Sequence, residues 1–313
     1  MLWYELLDEQ LRDYLPDLPV TAEEPLAKHT SFRIGGPARR MAFPRNSEQL
    51  VLLLNFAVQC GARPYVMGNG TNLLFPDGQV DRLIINTRDM DGIEPTGEGH
   101  IRAGAGASLA RVANFACQQS LTGLEFAHGI PGSVGGAVCM NAGAYGGEMA
   151  QVIEGVSVLF PEEGVKYIPC HTMDFGYRRS LLNDHPDAVV LYAVFALQKG
   201  DPAAIRGRME DLMARRKASQ PLEYPSAGST FKRPEGHFAG RLIEEAGCKG
   251  LTVGGAQVSE KHAGFVINTG GATCEDVLAL MAEVQRRVKE ISGVMLEPEV
   301  RIVGWTGEKL WKY

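Results

Sequence analysis

The 313-residue sequence lacks several features that would assign it at once. It has no uncharged apolar run near the roughly 18 residues needed to span a bilayer, so no membrane insertion is expected. Its six cysteines, Cys60, Cys117, Cys139, Cys170, Cys248 and Cys274, contain no CxxC pair. Zinc-finger spacing is therefore missing, and no metal site is expected. Positive charge is not in excess: the formal net charge is -6. That argues against nucleic acid or an anionic membrane as the main partner, while leaving room for one local cationic pocket. The opening stretch MLWYELLDEQLRDYL is acidic and amphipathic, without the basic region of a secretory signal. With scattered cysteines that read as reduced thiols, it sets the expectation of a cytoplasmic protein. There is no internal repeat of solenoid length. No GxxxxGK[ST] and no GxSxG occur, which excludes a P-loop NTPase and a nucleophile-elbow hydrolase. Gly104-x-Gly106 is followed by Leu109 where the dinucleotide fingerprint needs a third glycine.

What is abundant is glycine, 37 residues, clustered and not periodic. Clustered glycine marks backbone in positive φ or in close approach to another group. A diphosphate needs several backbone N–H donors converging at short range, where side chains would block access. Gly68-Asn69-Gly70-Thr71-Asn72 after a strand has this character. So do Gly129-Ile-Pro-Gly132-Ser133-Val-Gly135-Gly136 and Asn141-Ala-Gly143-Ala-Tyr-Gly146-Gly147. Tight turns alone explain any one of these, but three such clusters exceed what turn chemistry ordinarily needs.

The length suggests about two domains. Residues 1–15 read as a helix and Pro16–Pro25 as a connector. His29–Pro44 reads as strand, Gly-Gly turn and strand. Ser47 is the expected N-cap of a helix with Leu50, Leu53, Leu54 and Val58 on one face. Strands are expected at Arg63–Met67, through VDRLIINT, and from Ile101 to a turn at Gly106. A helix is expected after Ser108, then turns from Gly123 to Gly147, then strands at Val152–Phe160 and Ala188–Leu197. Near Gly200 the pattern changes. A helix with Ile205, Met209, Leu212 and Met213 ends in Arg215, Arg216 and Lys217, and the loop QPLEYPSAGS follows. A helix around Phe238–Ala246 and strands at Thr252–Val253 and Gly264–Asn268 come next. The clearest helix begins after Thr273, with Val277, Leu280, Met281, Val284, Val288 and Ile291 as its stripe, and ends at Gly293. MLEPEVRIVG reads as the last strand. The class is mixed α+β.

Three polar positions invite chemistry without deciding it. Arg178, in DFGYRRS, is either a packed surface residue or a carboxylate clamp. Ser229, in AGSTF, is either a turn residue or a proton donor. Glu297 and Glu299 flank Pro298, and strand alternation would put both on one face.

These residues sit in segments that resemble the UDP-N-acetylenolpyruvoylglucosamine reductase family. The segments are HTSFRIGGPA, VMGNGTNLLFPDG, GLEFAHGIPGSVGGAVCMNAGAYGGE, FGYRRSLL, QPLEYPSAGSTFKRP, VGGAQVSEKHAGFVIN and LEPEV, from about residue 29 to 303. The resemblance implies an α+β chain. Its FAD-binding domain would be of the PCMH or vanillyl-alcohol-oxidase type, built of two α+β subdomains and joined to a smaller C-terminal α+β substrate domain. The expected divisions are residues 1–28, helix and connector; 29–202, FAD domain; and 203–313, substrate domain, its last strand returning to the active site. The short form of the family is implied, because no tyrosine-bearing insertion separates the Arg178 and Ser229 motifs.

The resemblance also assigns roles. Arg178, Ser229 and Glu299 match the family's catalytic arginine, serine and glutamate, and Glu297 does not occupy that last place. Arg33, Gly68, Asn69, Gly70, Thr71, Asn72, Gly132, Ser133, Gly136 and Asn141 are expected to bind the cofactor. Tyr145, Arg216, Tyr224 and Lys232 are expected to bind substrate. FAD would be non-covalent and NADPH the hydride donor. Partners would be the two small molecules, and the chain a monomer or weak dimer. Two rivals stand beside this: another flavin oxidoreductase of the same fold, and a non-catalytic UDP-sugar-binding protein.

Overall fold

In the computed structural model, residues 1–303 are described, so the last ten residues of the expected substrate domain lie outside the described residues. The chain forms two compact units that are not consecutive in sequence. Unit 1 comprises Met1–Thr21, Arg40–Asn69 and Leu83–Arg216; unit 2 comprises Ala22–Arg39, Gly70–Arg82 and the chain from Lys217 on.

Unit 1 has two hydrophobic cores. In the first, Leu7 and Leu11 of helix Trp3–Tyr14 meet Leu50, Leu53 and Ala57 of helix Ser47–Gln59 and Leu83 and Ile85 of strand Val80–Asn86. Strand Pro64–Met67 pairs parallel with Leu83–Asn86. The second core lies under a five-stranded antiparallel sheet of order Gly164–Pro169, Ile153–Phe160, Val189–Ala196, His100–Gly104 and Ile93–Gly97. Ile101, Val156, Ala193 and Phe195 from the sheet pack with Val112 and Ala116 of helix Leu109–Gln118 and with Val134 and Val138. Burying a side chain of this size contributes about 1.5–3 kcal/mol each.

Unit 2 is a smaller α+β body. An antiparallel sheet runs in the order Ser226–Ser229, Phe265–Asn268, Ala256–Val258 and Thr252–Val253. Helix Cys274–Ser292 lays Val277, Leu280, Met281, Val284 and Val288 into its core. Thr273 and Asp276 form a reciprocal cap at the start, and Gly293 ends the helix with φ 74°.

Most expected elements are present, with instructive departures. The connector contains a strand, Val20–Pro25, because β-branched Val20 and Thr21 fit a pleat and Pro25 falls at its end. The first strand expected in His29–Pro44 is absent. Phe32 and Ile34 are buried and Arg33 exposed, which imitates strand alternation, but the backbone turns, with φ 56° at Arg33 and 140° at Gly35. Asn46, not Ser47, caps its helix by accepting from the Gln49 N–H. Val58 and Ile291 leave their apolar stripes and are exposed, each lying one step past the buried face. Gly164–Pro169 is a strand that its exposed, charged sequence concealed. The loop QPLEYPSAGS includes the strand Ser226–Ser229, and the final strand shrinks to Arg301–Ile302. Val134–Cys139 is a short helix within the expected turns.

Candidate active site

One group of candidate site residues lies in unit 1. Gly68 follows strand Pro64–Met67, and a Cβ there would overlap the Ser133 hydroxyl, so these two positions abut. Only glycine permits that approach. Ser133 is almost fully buried and caps the helix Val134–Cys139 through the Gly136 N–H at 3.4 Å. The segment is held against residues 105–109: Leu109 N–H donates to Gly132, Val134 N–H to Ala107 and Gly135 N–H to Ala105, all at 2.8–3.0 Å. Gly136 remains exposed, and Gly146, at φ 85°, has open space where a Cβ would stand. A glycine-walled cradle at a helix start suits a diphosphate.

Asn141 is buried with φ 41°, and both ends of its carboxamide are used within unit 1. Nδ2 donates to the Gly176 carbonyl at 3.1 Å, and Oδ1 accepts from the Ala150 N–H at 2.9 Å. It thereby fastens the turn that carries Arg178. That turn is tight: Gly176 and Arg179 exchange backbone hydrogen bonds at 3.0 and 3.2 Å around Tyr177 and Arg178. Arg178 has φ 56°, a conformation that favours glycine. Its guanidinium lies 5.1 Å from the Tyr177 ring centre. The neighbouring Arg179 is occupied differently, paired with Asp174 and Asp184 at 2.9 and 3.1 Å. The two arginines of the motif are thus distinguished by backbone and partner.

Arg216 lies at the end of the unit 1 portion of helix Pro202–Ser219. Its guanidinium donates to the Gly129 carbonyl. Burial pushes it down from the usual arginine value, and the Tyr145 hydroxyl works in the opposite sense. Tyr145 is exposed with φ 55°. Sequence reasoning assigned Arg216 to substrate and missed its grip on the glycine loop. It also missed His128, whose buried Nδ1 has no hydrogen-bond partner among the described residues. No spacing signal marks either feature.

Another group of candidate residues lies in unit 2. Ser229 ends a strand opposite Phe265, with a register shift after Ser226 and Gly228 at φ 77°. Such a bulge re-aims the side chain that follows it. The Thr230 carbonyl accepts from the Glu299 N–H at 2.8 Å, and Phe231 pairs with Pro298. Ser229 and Glu299 are therefore brought together across Thr230, although 70 positions separate them in sequence. Asn72 Nδ2 donates to the Glu299 carbonyl at 3.0 Å, and the Asn72 carbonyl accepts from Arg301 at 3.0 Å. Gly70 accepts from the Ser31 N–H at 3.2 Å. Glu297 pairs with Lys232 at 3.2 Å, and the Lys232 N–H donates to the Glu297 carbonyl at 2.8 Å. Arg33 and Tyr224 are exposed, and Thr71 is half-buried. Asn69 is half-buried in unit 1.

Four thiols are held away from the thiolate form. All six cysteines are free. Burial, with Asp77 and Glu275 adjacent, pushes the Cys274 thiol up to about 12, and burial raises Cys60, Cys170 and Cys248.

Similarity to known proteins agrees with this construction. Residues 38–166 match an FAD binding domain, and residues 220–303 match the C-terminal domain of UDP-N-acetylenolpyruvoylglucosamine reductase. The reductase of that name from Pediococcus pentosaceus is 46% identical over 96% of this chain and 99% of its own. That of Levilactobacillus brevis is 48% identical over 92% of this chain and 94% of its own. The crystal structure of UDP-N-acetylenolpyruvylglucosamine reductase from Thermus caldophilus is 35% identical, with a TM-score of 0.76 over 91% of this chain and 98% of that one. An FAD-binding part with two α+β cores, a smaller α+β unit and near-full-length likeness lead to one conclusion: the chain belongs to the UDP-N-acetylenolpyruvoylglucosamine reductase family and is an FAD-containing oxidoreductase with an α+β fold.

Proposed function

We propose that the chain reduces UDP-N-acetyl-3-O-(1-carboxyvinyl)-glucosamine to UDP-N-acetylmuramate, with NADPH as hydride donor and non-covalent FAD, in the synthesis of peptidoglycan precursors. The single observation that carries this is likeness to reductases of that name along nearly the whole chain. The residues present fit FAD: Gly68 and Ser133 meet without a side chain between them, and Gly146 stands in open space. Gly68, Asn69, Gly132, Ser133 and Gly136 would hold the cofactor, and Arg33, Gly70, Thr71 and Asn72 are proposed as further cofactor contacts. Asn141 is better assigned to positioning the Arg178 turn, since its carboxamide bonds inside the protein. When bound, FAD supplies the two-electron carrier between NADPH and substrate.

The chain's own residues act on the charge and the proton. Hydride addition to the terminal vinyl carbon leaves negative charge at the α carbon, spread into the carboxylate. The Arg178 guanidinium would stabilise that charge. Glu299 helps only when protonated or when it orients a donor, because a bare carboxylate would repel the charge. Ser229 would deliver the proton to the α carbon. Tyr145, Tyr224 and Lys232 are proposed to contact the UDP-sugar. Arg216 would act on substrate through the loop it grips. We divide the labour between an FAD domain and a smaller substrate domain.

No helix among the described residues is long and apolar enough to cross a membrane. We place the protein in the cytoplasm as a monomer or weak dimer, serving cell-wall growth, cell shape and division.

The test is anaerobic. The purified protein should be yellow, bleach with NADPH and recover its colour on adding the enolpyruvyl substrate. In Ser229→Ala the bleaching rate should hold within about twofold, while recovery slows by about a hundredfold or more, the range for loss of a positioned acid. Equal slowing of both halves would remove Ser229 from the proton-donor role. Bleaching by a sugar in place of NADPH would favour another oxidoreductase of this fold.

A further inference from the structure

Arg178 stands at the tip of a loop in unit 1 that is anchored two residues before it and two residues after it. Before it, the Gly176 carbonyl accepts from the Asn141 carboxamide at 3.1 Å. After it, the Ser180 hydroxyl donates to the Cys139 carbonyl at 3.0 Å. Asn141 and Ser180 are both buried, Ser180 completely. Both anchors join the loop to residues 139–141, where the helix Val134–Cys139 ends.

The end of that helix needs donors, because the last carbonyls of a helix have no partner inside it. The N–H groups of Met140, Asn141 and Ala142 return to the carbonyls of Gly136, Val138 and Ala137 at 3.2, 3.2 and 2.9 Å. The Cys139 carbonyl takes the Ser180 hydroxyl. Ser180 is itself fixed along its backbone. Its N–H donates to the Asn183 side chain at 2.9 Å, and the Asn183 N–H returns to its carbonyl at 3.0 Å. The stems of the loop are closed by the Leu181 N–H, which donates to the Met173 carbonyl at 2.6 Å. Met173, Leu181 and Leu182 pack into the core under the five-stranded sheet. The stems are thus held without the two flanking bonds, and what those bonds add is the place of the tip. Tyr177 and Arg179, on either side of Arg178, are exposed.

We propose that Ser180 is a positioning residue for the reduction: its bond to Cys139 fixes where the Arg178 guanidinium stands. The proposal rests on the charge-stabilising role given to Arg178 and names a residue on which that role depends. The helix that ends at Cys139 follows Ser133, one of the cofactor candidates, so one six-residue segment joins that candidate to the anchor of Arg178. Removing the hydroxyl leaves a helix-end carbonyl without this donor and releases one side of the turn. The guanidinium then shifts relative to the developing charge, and a misplacement of about 1 Å costs up to about a hundredfold in rate.

The test is a double-mutant cycle on Ser180→Ala and Arg178→Ala in FAD-loaded protein. Anaerobic bleaching with NADPH and colour recovery with the enolpyruvyl substrate are timed separately. Wild type that neither bleaches nor recovers would overturn the reductase reading, and this proposal with it. Given wild-type turnover, Arg178→Ala recovering at the wild-type rate would remove the Arg178 role on which the proposal stands. Ser180→Ala alone should slow recovery at saturating substrate by about tenfold or more, with KM and the bleaching rate held within about twofold. In the Arg178→Ala background the same change should slow recovery by less than about twofold, because no guanidinium is left to misplace. Equal slowing in both backgrounds, or bleaching slowed as much as recovery, would show a hydroxyl that serves stability alone and overturn the proposal. Recovery of Ser180→Ala at the wild-type rate would overturn it as well. Should Ser180→Ala not fold, Asn183→Ala, which loosens Ser180 from an exposed position, goes through the same cycle and the same outcomes decide.

Discussion

Arg178 occupies backbone that glycine would hold more cheaply, at φ 56° in a four-residue turn. Arg33, Asn141 and Tyr145 share the left-handed region. Each such residue costs of order 1 kcal/mol and persists where surrounding structure enforces it. At Arg178 the enforcement is visible in the Asn141 carboxamide on Gly176 and in the Ser180 hydroxyl, which donates to the Cys139 carbonyl at 3.0 Å. Arg178→Gly should therefore stabilise the fold by about 0.5–1 kcal/mol, raising the melting temperature by about 2 °C, while substrate reduction falls by at least about a hundredfold. Thermal melting paired with steady-state rates checks both signs. A variant that keeps its activity would end the charge-stabilising role; one that melts well below wild type would show that Arg178 is held for packing.

At the scale of elements, the junction that carries Ser229 depends on a neutral histidine. His262 Nδ1 accepts from the Gly264 N–H at 3.1 Å, and the Gly264 carbonyl accepts from the Thr230 N–H at 2.9 Å, between Ser229 and Glu299. Burial pushes His262 below its ordinary 6.5, and Lys249 adds to that direction, while a backbone hydrogen bond and Glu244 oppose it. A folded value below the unfolded one means that the unfolded chain takes up the proton first as pH falls. The contribution is full above about pH 6.5 and is lost progressively as pH drops toward the folded value. Urea unfolding between pH 8 and 5 should show wild type losing stability below about pH 6.5, with a shallower slope in His262→Gln. Identical slopes would show that other groups govern the decline.

For the whole molecule, FAD is a ligand of the native state alone. Saturating it at a hundred times its Kd should add about 2.7 kcal/mol of apparent stability, and stripping it should remove the same amount. Differential scanning of stripped and reloaded protein measures this. A melting temperature indifferent to FAD would mean that the cradle does not form the binding site. Because Gly68, Asn69, Gly132 and Ser133 fall in unit 1, limited proteolysis of stripped protein should open unit 1 first.

The sequence by itself determined the helices with clear apolar stripes, such as Cys274–Ser292 with its cap at Thr273 and stop at Gly293, because period and capping are local properties. It also determined the family, because long ungapped motifs run along nearly the entire chain. It raised the glycine clusters at Gly68–Asn72 and Gly129–Gly136 as candidates for a phosphate cradle, and Gly68 does abut the Ser133 hydroxyl. Tertiary structure alone decided that Thr30–Gly36 turns although its burial alternates like a strand, that Asn141 spends both ends of its carboxamide on the protein, and that Ser229 meets Glu299 across the Thr230 carbonyl. It also decided that Arg216 holds the Gly129 carbonyl. These facts depend on which distant segments share a hydrogen bond, and neither period nor composition encodes a partner.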